Sequence, residues 1–569
     1  MTKGKMHYAR AARMNKALLS FLFFLTTTGG AFALPGKTEA AAAPEAAAAA
    51  DTTAIADKKL ELHANNELDL TYNMIGGQGA SQSSLQKGWV YSDALNLSGN
   101  GAFKGYEYRM NLGVRYTNDQ QLDVKKVLLT NLQGRISDGN NTLNVGDTFE
   151  SFSQYSLNSA LKGASYKYYD SQKDSPELTL VYGLAYPRWD NFYGDSEVKA
   201  LKRTAAGARL KQTLSPDFWL GMSALNVTDD AHSRIFDTDP VYENSVYSMD
   251  FEYRPAAGLT VRNETAAGFA SLTPQKGAAA AKADGSAQQT ELIMEQGKNR
   301  VNLEYERVSP YFLTLLGSAS TDREKLKGKW KYKYDRDISF NFAMLWFRDD
   351  LNRQKAYQSS SYKPEIGVTL AKLFNRQYGT ADLDYKYDRV YGGGASTVNH
   401  LINANYRDRF FGLDSDTNAG YSIYKTNAKV RDEQELLVNT SLRDRRTMGK
   451  FVFKPALYLG VWTDKNELSN SRDKIYEYSV ALDPEIPSQK ITSTFKAGQK
   501  RLLKAGADDL TRTFLNCNIF YKAPFLNKLF ANLNQGVLYF KARVNDLSYT
   551  TAAKSFTETS LSTGVNVEF

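Results

Sequence analysis

The stretch YEYRMNLGVRY, residues 106–116, alternates apolar and polar side chains along its whole length. Its apolar set consists of Tyr106, Tyr108, Met110, Leu112, Val114 and Tyr116, and its polar set of Glu107, Arg109, Asn111, Gly113 and Arg115. A period of two predicts a β-strand with one apolar and one polar face. The ten steps span about 33 Å of extended chain. This stretch is therefore too long for an average strand of a soluble sheet.

The same alternation recurs at residues 178–186, 247–253, 451–461 and 538–544. So many long apolar faces need either a second layer or lipid, and the sequence shows no amphipathic helices for a second layer. A strand of this length tilted by about 40° crosses the lipid-facing band of a membrane barrel, and aromatic girdles lie where its terminal tyrosines fall. The pattern predicts an all-β fold: a single large transmembrane antiparallel up-and-down β-barrel of about 26 strands (roughly 24–26) over residues 59–569, with both termini periplasmic.

The N-terminus carries an export signal. Residues 1–33 join a basic front end to the apolar run ALLSFLFFLTTTGGAFA, which ends in the small-x-small site Ala31-Phe32-Ala33 and predicts a secretory signal peptide. Residues 34–58 are an Ala-rich, low-complexity linker. Removing the five basic residues of the signal peptide leaves 66 basic and 62 acidic residues, a formal net charge of +4. This small excess predicts no nucleic-acid partner, and the lone Cys517 excludes an intrachain disulfide.

The last stretch, LSTGVNVEF (residues 561–569), alternates in the same way and stops on an aromatic residue. With the signal peptide and the run of long strands, it makes the chain resemble a porin-like Gram-negative outer-membrane β-barrel protein over residues 59–569. The resemblance implies a place in the cell outer membrane, among lipid and lipopolysaccharide. It also implies that Leu561, Val565, Val567 and Phe569 form the signal read by the barrel assembly machinery.

Signatures of catalysis are missing from the sequence. Three histidines follow the signal peptide: His63, His232 and His400. They are far apart in the sequence and lack the spacing of a metal site. We therefore predict no enzyme, no cofactor and no metal site. A group of four acidic residues suggests either a calcium site or a solvated acidic loop, the second being favoured: Asp229, Asp230, Asp237 and Asp239.

One strand places a row of cations on a single face, namely Arg323, Lys325, Lys327, Lys329, Lys331 and Lys333. Each lysine would cost about 2–4 kcal/mol if it faced lipid at the membrane centre, so this face is predicted to line the lumen. The row is either an electropositive stripe for anions or an acidic partner, or part of a charge lattice with neighbouring carboxylates; both can hold together. The other residues predicted to line the lumen are Glu304, Glu306, Asp382, Asp384, Glu107, Arg109 and Arg115.

Residues 144–163 interrupt the alternation with a Ser-rich, aromatic run. Two interpretations stay open for this segment. It either folds inward as a constriction loop or packs as an ordinary external loop.

An open pore of this predicted width would leak periplasmic contents, so infolded loops or another protein should fill it. The leading hypothesis is an outer-membrane channel with a polar, charged lumen and a role in transport or as a conduit. The strand number also resembles the barrel component of porin–cytochrome conduits, which implies a sheath for a periplasmic multihaem cytochrome in extracellular electron transfer. Two further hypotheses are export of an acidic polysaccharide along the lysine row and a closed structural or adhesion barrel.

Overall fold

The computed structural model describes residues 57–170, 175–193, 199–427, 431–529 and 533–569. The predicted signal peptide and nearly all of the linker lie outside these residues. The described chain forms one closed antiparallel sheet of 26 barrel strands, joined by three short strand segments at Arg446–Met448, Phe451–Phe453 and Glu485–Ile486. No helix in the described ranges is long and apolar enough to span a membrane.

The barrel strands follow one another around the ring in chain order. They are β1 (Lys58–Gly76), β2 (Gly88–Phe103), β3 (Tyr106–Thr117), β4 (Val127–Ser137), β5 (Asn141–Ser151), β6 (Asn158–Tyr168), β7 (Glu177–Leu184), β8 (Arg203–Ser215), β9 (Phe218–Asp229), β10 (Val241–Ala256), β11 (Leu259–Thr273), β12 (Ala281–Gln296), β13 (Asn299–Val308), β14 (Arg323–Lys333), β15 (Ile338–Arg348), β16 (Ser360–Ala371), β17 (Thr380–Gly392), β18 (Ala395–Phe410), β19 (Leu413–Thr426), β20 (Asp432–Arg443), β21 (Pro455–Asn466), β22 (Ser471–Leu482), β23 (Ile491–Leu503), β24 (Leu510–Lys522), β25 (Gln535–Tyr549) and β26 (Phe556–Glu568). Short helices lie at Ala80–Gln82, Trp189–Tyr193, Ala231–Ser233, Leu373–Asn375, Pro487–Gln489, Leu526–Leu529 (α1) and Ala552–Lys554.

The barrel closes where the last strand, β26, pairs with the first, β1. The antiparallel register runs from Asn65 opposite Glu568 to Gly76 opposite Thr557. Beyond it, Phe569 and Ala64 exchange two backbone hydrogen bonds of 2.8 and 3.2 Å. Closure satisfies the backbone groups that an open edge would expose. The predicted 26-strand up-and-down barrel is thereby confirmed.

The two faces of the barrel differ sharply in chemistry. Large apolar side chains on one face are exposed, among them Met110, Tyr247 and Trp330, while their strand neighbours on the other face are mostly polar. We assign the polar face to the interior because two connecting segments pack against it. Strands spaced by about 4.8 Å and tilted by about 40° make a 26-strand ring roughly 50 Å across between backbones.

Connections at the two rims differ in length. We call the rim at which β1 begins and β26 ends the terminal rim, and the other one the opposite rim. Early in the chain the terminal rim has tight turns, such as residues 104–105 and 257–258, whereas residues 309–322 form a long connection at the opposite rim. Later in the chain the longer connections lie at the terminal rim. Residues 393–394 form a short turn at the opposite rim, whereas the connection 523–534 lies at the terminal rim. The opposite-rim connections at residues 274–280 and 467–470 are short, because long strands flank both.

The C-terminal strand is partly covered on its outward face. The described residues of the connection between β24 and β25, 523–529 and 533–534, include α1 and bury Ala523, Leu526 and Leu533. Against this cluster pack the outward side chains of β26 and its neighbours, including Val565, Val567 and Phe569. Three residues of the predicted assembly signal therefore contact protein on the outside of the barrel; Leu561 remains 37% exposed.

Candidate functional site

Two connections of the opposite rim fold onto the interior face of the wall. We call residues 152–157 and 309–322 together the inner pad. Phe152 and Leu157 are buried against wall residues of β6–β9, and Tyr155 and Phe312 are buried against wall residues of β10–β13. The inner pad therefore covers the sector from β6 to β13.

Small wall residues make room for the inner pad. A Cβ at Gly285 would lie 2.2 Å from the backbone nitrogen of Phe312, and one at Gly268 would lie 3.1 Å from its ring. Ala266 and Ala287 lie in the same buried cluster. Glycine and alanine at these four positions thus let the chain approach the wall closely.

Hydrogen bonds join residues 309–322 to the other part of the inner pad and to the adjoining first residue of β6. The Asn158 amide donates to the Leu316 carbonyl (2.9 Å), and the Ser318 amide donates to the Gln154 carbonyl (2.8 Å). The predicted irregular segment 144–163 is thus mostly strand, and only residues 152–157 leave the ladder. They fold inward, which is the constriction interpretation of the two that the sequence left open.

Polar contacts fix the inner pad to the charged wall. Tyr155 donates its hydroxyl to Glu306 Oε1 (3.2 Å) and its backbone amide to Glu264 Oε1 (3.1 Å). Burial and these nearby carboxylates raise the pKa of Tyr155, so it remains a neutral donor. Ser153 joins the inner pad to Ser248 of β10 through a hydroxyl contact of 3.2 Å.

The end of the inner pad is latched to the next loop of the opposite rim. The Asp322 carboxylate accepts from Lys355 Nζ (2.6 Å) and from the backbone amides of Leu351 (2.9 Å) and Asp350 (3.1 Å). Partial burial opposes ionisation of Asp322, but these donors outweigh it and lower its pKa. The latch is therefore a pair of opposite charges at neutral pH.

The lysine row of β14 is divided into a paired half and an unpaired half. Lys325 contacts Glu304 (2.8 Å) and Glu306 (2.7 Å), and Lys327 contacts Glu304 (2.9 Å). In the described part of the chain, no carboxylate lies within ion-pair distance of the remaining three lysines, which are Lys329, Lys331 and Lys333. Both interpretations of the row therefore have a geometric counterpart: a charge lattice near the inner pad and a stripe of free cations toward the terminal rim.

The other predicted lumen residues do not join this row. Asp382 accepts from Arg407 (2.9 Å), and Asp384 lies on the same face of β17. The uncharged interior face of β15 and the whole of β16 separate both from β14. Arg323 stacks on Phe347 at 4.3 Å from the ring centre.

On β3, Glu107, Arg109 and Arg115 share the interior-assigned face, far around the ring from β14. Arg109 lies opposite Arg135 of β4. These residues form part of the wall and contribute nothing to the lysine row.

The four loop aspartates do not converge. Asp229 forms a bidentate ion pair with Arg203 (2.7 and 3.0 Å), and Asp239 accepts from the backbone amides of Ile235 and Phe236. Asp237 contacts Lys276 (3.4 Å). Each of these three carboxylates has its own partner, so they form no common cation site, and Asp229 is buried at the end of β9.

Two features of the interior escaped sequence analysis. The first is the inward fold of residues 309–322. The second is another basic group, Lys496, Lys541 and Arg543, on β23 and β25. The sequence pattern of this group is weak because its three cations are divided between β23 and β25 and do not repeat along one strand. They become neighbours only through the register of β23, β24 and β25.

Comparison with known proteins gives remote likenesses only. The P pilus usher (PapC) translocation pore is 10% identical, with 90% of this chain and 99% of that chain covered and a TM-score of 0.33. OpdO of Pseudomonas aeruginosa is 14% identical, with 64% of this chain and 97% of that chain covered and a TM-score of 0.34. The outer membrane transporter YddB from Escherichia coli is 8% identical, with 89% of this chain and 80% of that chain covered and a TM-score of 0.41. No family model and no curated protein matches. At these values, the functional assignment rests on the residues of this chain.

Proposed function

We propose that the protein is an outer-membrane channel whose polar, charged lumen is narrowed on one side by the inner pad. The observation that carries this proposal is the division of the closed wall into an apolar outer face and a polar inner face. An apolar outer band suits lipid and lipopolysaccharide as surroundings, and a polar inner face suits water. The barrel assembly machinery is the proposed insertion partner.

A second candidate function follows from the width of the barrel. Of the described residues, the inner pad lines only the sector β6–β13 of a ring roughly 50 Å across. The remaining space would accommodate a folded domain of about 100 residues, whose radius of gyration is about 13 Å. This favours a sheath around a periplasmic protein, for which a multihaem cytochrome is one proposed occupant.

The free half of the lysine row sets the proposed selectivity. Lys329, Lys331 and Lys333 present three positive charges without a described acidic partner, so small anions should enter more readily than cations. An acidic polysaccharide is a larger solute that the same row could guide.

Planar-bilayer recording of the full chain tests the channel. We expect nanosiemens-scale conductance with anion preference in the reversal potential. Replacing Lys329, Lys331 and Lys333 together by glutamine should reduce that preference, whereas Lys425→Gln, on the outward face of β19, should leave it unchanged. Strong cation preference would contradict the role of the lysine row. Silence would contradict the open channel and favour a sheath or a closed structural or adhesion barrel.

A further inference from the structure

The second basic group, Lys496, Lys541 and Arg543, lies in a cavity of the interior wall beside the pairing of β26 with β1, which we call the seam. The cavity has a volume of about 750 Å³, a size typical of small-molecule sites. Its floor is formed by β23–β26 together with β1 and β2. Leu85 and Leu122, from two connections of the opposite rim, line it as well.

Strand register arranges the floor in two parallel rows. The first row runs Lys496, Asn516, Arg543, Ser560 and Asn73, each directly opposite the next on adjacent strands. The second row runs Thr494, Asn518, Lys541, Ser562 and Thr71 in the same way. Adjacent strands are about 4.8 Å apart and the rows about 7 Å apart, so the backbone positions of the three cations lie within roughly 12 Å of one another.

Arg543 and Lys496 are available to an anionic ligand, whereas Lys541 lies over the Tyr539 ring, 4.1 Å from its centre. Lys496 also lies 5.6 Å from the centre of the Phe514 ring. Neither Lys496 nor Arg543 has a carboxylate within ion-pair distance among the described residues, and Lys541 is 3.9 Å from Asp69. The Asn516 side-chain oxygen between Lys496 and Arg543 is buried without a hydrogen-bond partner in the described structure. An oxyanion would satisfy the cations, and a hydroxyl group would satisfy this amide.

Glu67 and Asp69, two of the three carboxylates that line the cavity, lie toward the terminal rim; the third, Asp119, comes from the opposite-rim connection between β3 and β4. Asp69 accepts from Thr71 (2.6 Å) and from the Tyr539 hydroxyl (2.9 Å), and Tyr539 also reaches Glu67 (3.3 Å). Tyr539 crosses Gly564, where a Cβ would lie 2.4 Å from its hydroxyl oxygen. Glu67 and Asp69 thus lie toward one end of the cavity and Arg543 and Lys496 toward the other, with the amides of Asn516 and Asn518 among the cations.

We propose that this cavity binds a small hydroxylated oxyanion, of which a sugar acid is the simplest example. Arg543 and Lys496 hold the anionic group, and Asn516, Asn518 and Ser560 hydrogen-bond the ligand hydroxyls. Such a site would give the proposed channel a defined class of solute. Its physiological role rests on the proposed channel function, but ligand binding itself does not.

Calorimetric titration of the full chain in detergent micelles tests the site without requiring conductance. Sodium glucuronate should bind, and glucose and sodium sulfate at matched ionic strength should each bind at least tenfold more weakly. Arg543→Gln and Lys496→Gln should each weaken glucuronate binding about tenfold, the loss expected for one charge-assisted hydrogen bond. Lys425→Gln, on the outward face of β19, should leave binding unchanged.

Heat-modifiable migration of each variant establishes that its barrel has folded. The proposal is overturned if glucuronate does not bind, if both seam variants bind as the wild type does, or if sulfate binds as tightly as glucuronate. A barrel that conducts in bilayers but fails these titrations would refute the site and leave the channel intact. A barrel that binds glucuronate but does not conduct would refute the open channel and support the site.

Discussion

Replacing Tyr155 with alanine should loosen the inner pad while the barrel stays closed. The Tyr155 side chain is fully buried, packs edge-to-face on Phe312 at 5.8 Å between ring centres and donates to Glu306. Truncation of a buried aromatic residue costs about 3–5 kcal/mol. The lost contacts join the inner pad to the wall, so the cost falls on local opening and leaves the strand ladder intact.

Hydrogen–deuterium exchange of the detergent-solubilised chain measures this opening. A loss of about 3 kcal/mol speeds exchange more than a hundredfold when exchange follows the opening equilibrium. The informative amides are those of Asn158 and Ser318, whose hydrogen bonds join residues 309–322 to β6 and to the other part of the inner pad. Tyr155→Phe keeps the ring and removes one hydrogen bond of about 1 kcal/mol, so it should speed exchange only about fivefold.

Tyr247→Ala provides a matched control. Tyr247 lies on β10 beside the wall residues that contact the inner pad, but its side chain faces outward and is 55% exposed. We expect unchanged exchange at Asn158 and Ser318 in this variant. Normal protection in Tyr155→Ala, or equal acceleration in Tyr247→Ala, would refute the assignment of Tyr155 as the anchor.

Three other perturbations act on the seam and on the latch. Deleting Phe569 removes the backbone pair beyond β26 and a contact with the α1 segment, so less heat-modifiable barrel should form, whereas Glu568→Gln should assemble normally. The pKa of Asp322 is lower in the folded chain than in the unfolded chain, where it is about 4. The stabilisation from its ion pair with Lys355 is therefore complete above about pH 4 and is lost as the pH falls through the lower pKa of the folded chain. Proteolysis of residues 309–322 should therefore accelerate in acid, and Asp322→Asn should be cleaved rapidly at every pH. Gly564→Ala places a Cβ 2.3 Å from a backbone oxygen of β1 and should lower the thermal unfolding temperature of the barrel.

The strands could be predicted from the sequence because their signal is local. Alternation with a period of two is set by neighbouring residues, as in residues 106–116, and each strand carries its own copy. The closure of β26 on β1 followed from the same logic, because an unpaired edge cannot face lipid. The strand number and the up-and-down order of the barrel could therefore be predicted without a structure.

The inward fold of residues 309–322 was not accessible in this way. Phe312 is an ordinary aromatic residue in its own segment, and its place depends on Gly268, Gly285 and Tyr155. These partners lie on three other connections or strands, and no local period links them. The division of the lysine row into paired and unpaired halves could not be predicted for the same reason, because the pairing depends on the register of β13 against β14.

The proposed anion site ties ligand binding to barrel closure. Lys541 and Arg543 belong to β25, near the end of the chain, whereas Thr71 and Asn73 belong to β1. The two groups become neighbours only through β26, whose Ser560 contacts Asn73 (2.6 Å). An unclosed barrel would hold the cations without half of the polar floor. Glucuronate binding should therefore fall in proportion to the unclosed fraction when Phe569 is deleted, and a fully binding but unclosed population would separate the site from the seam.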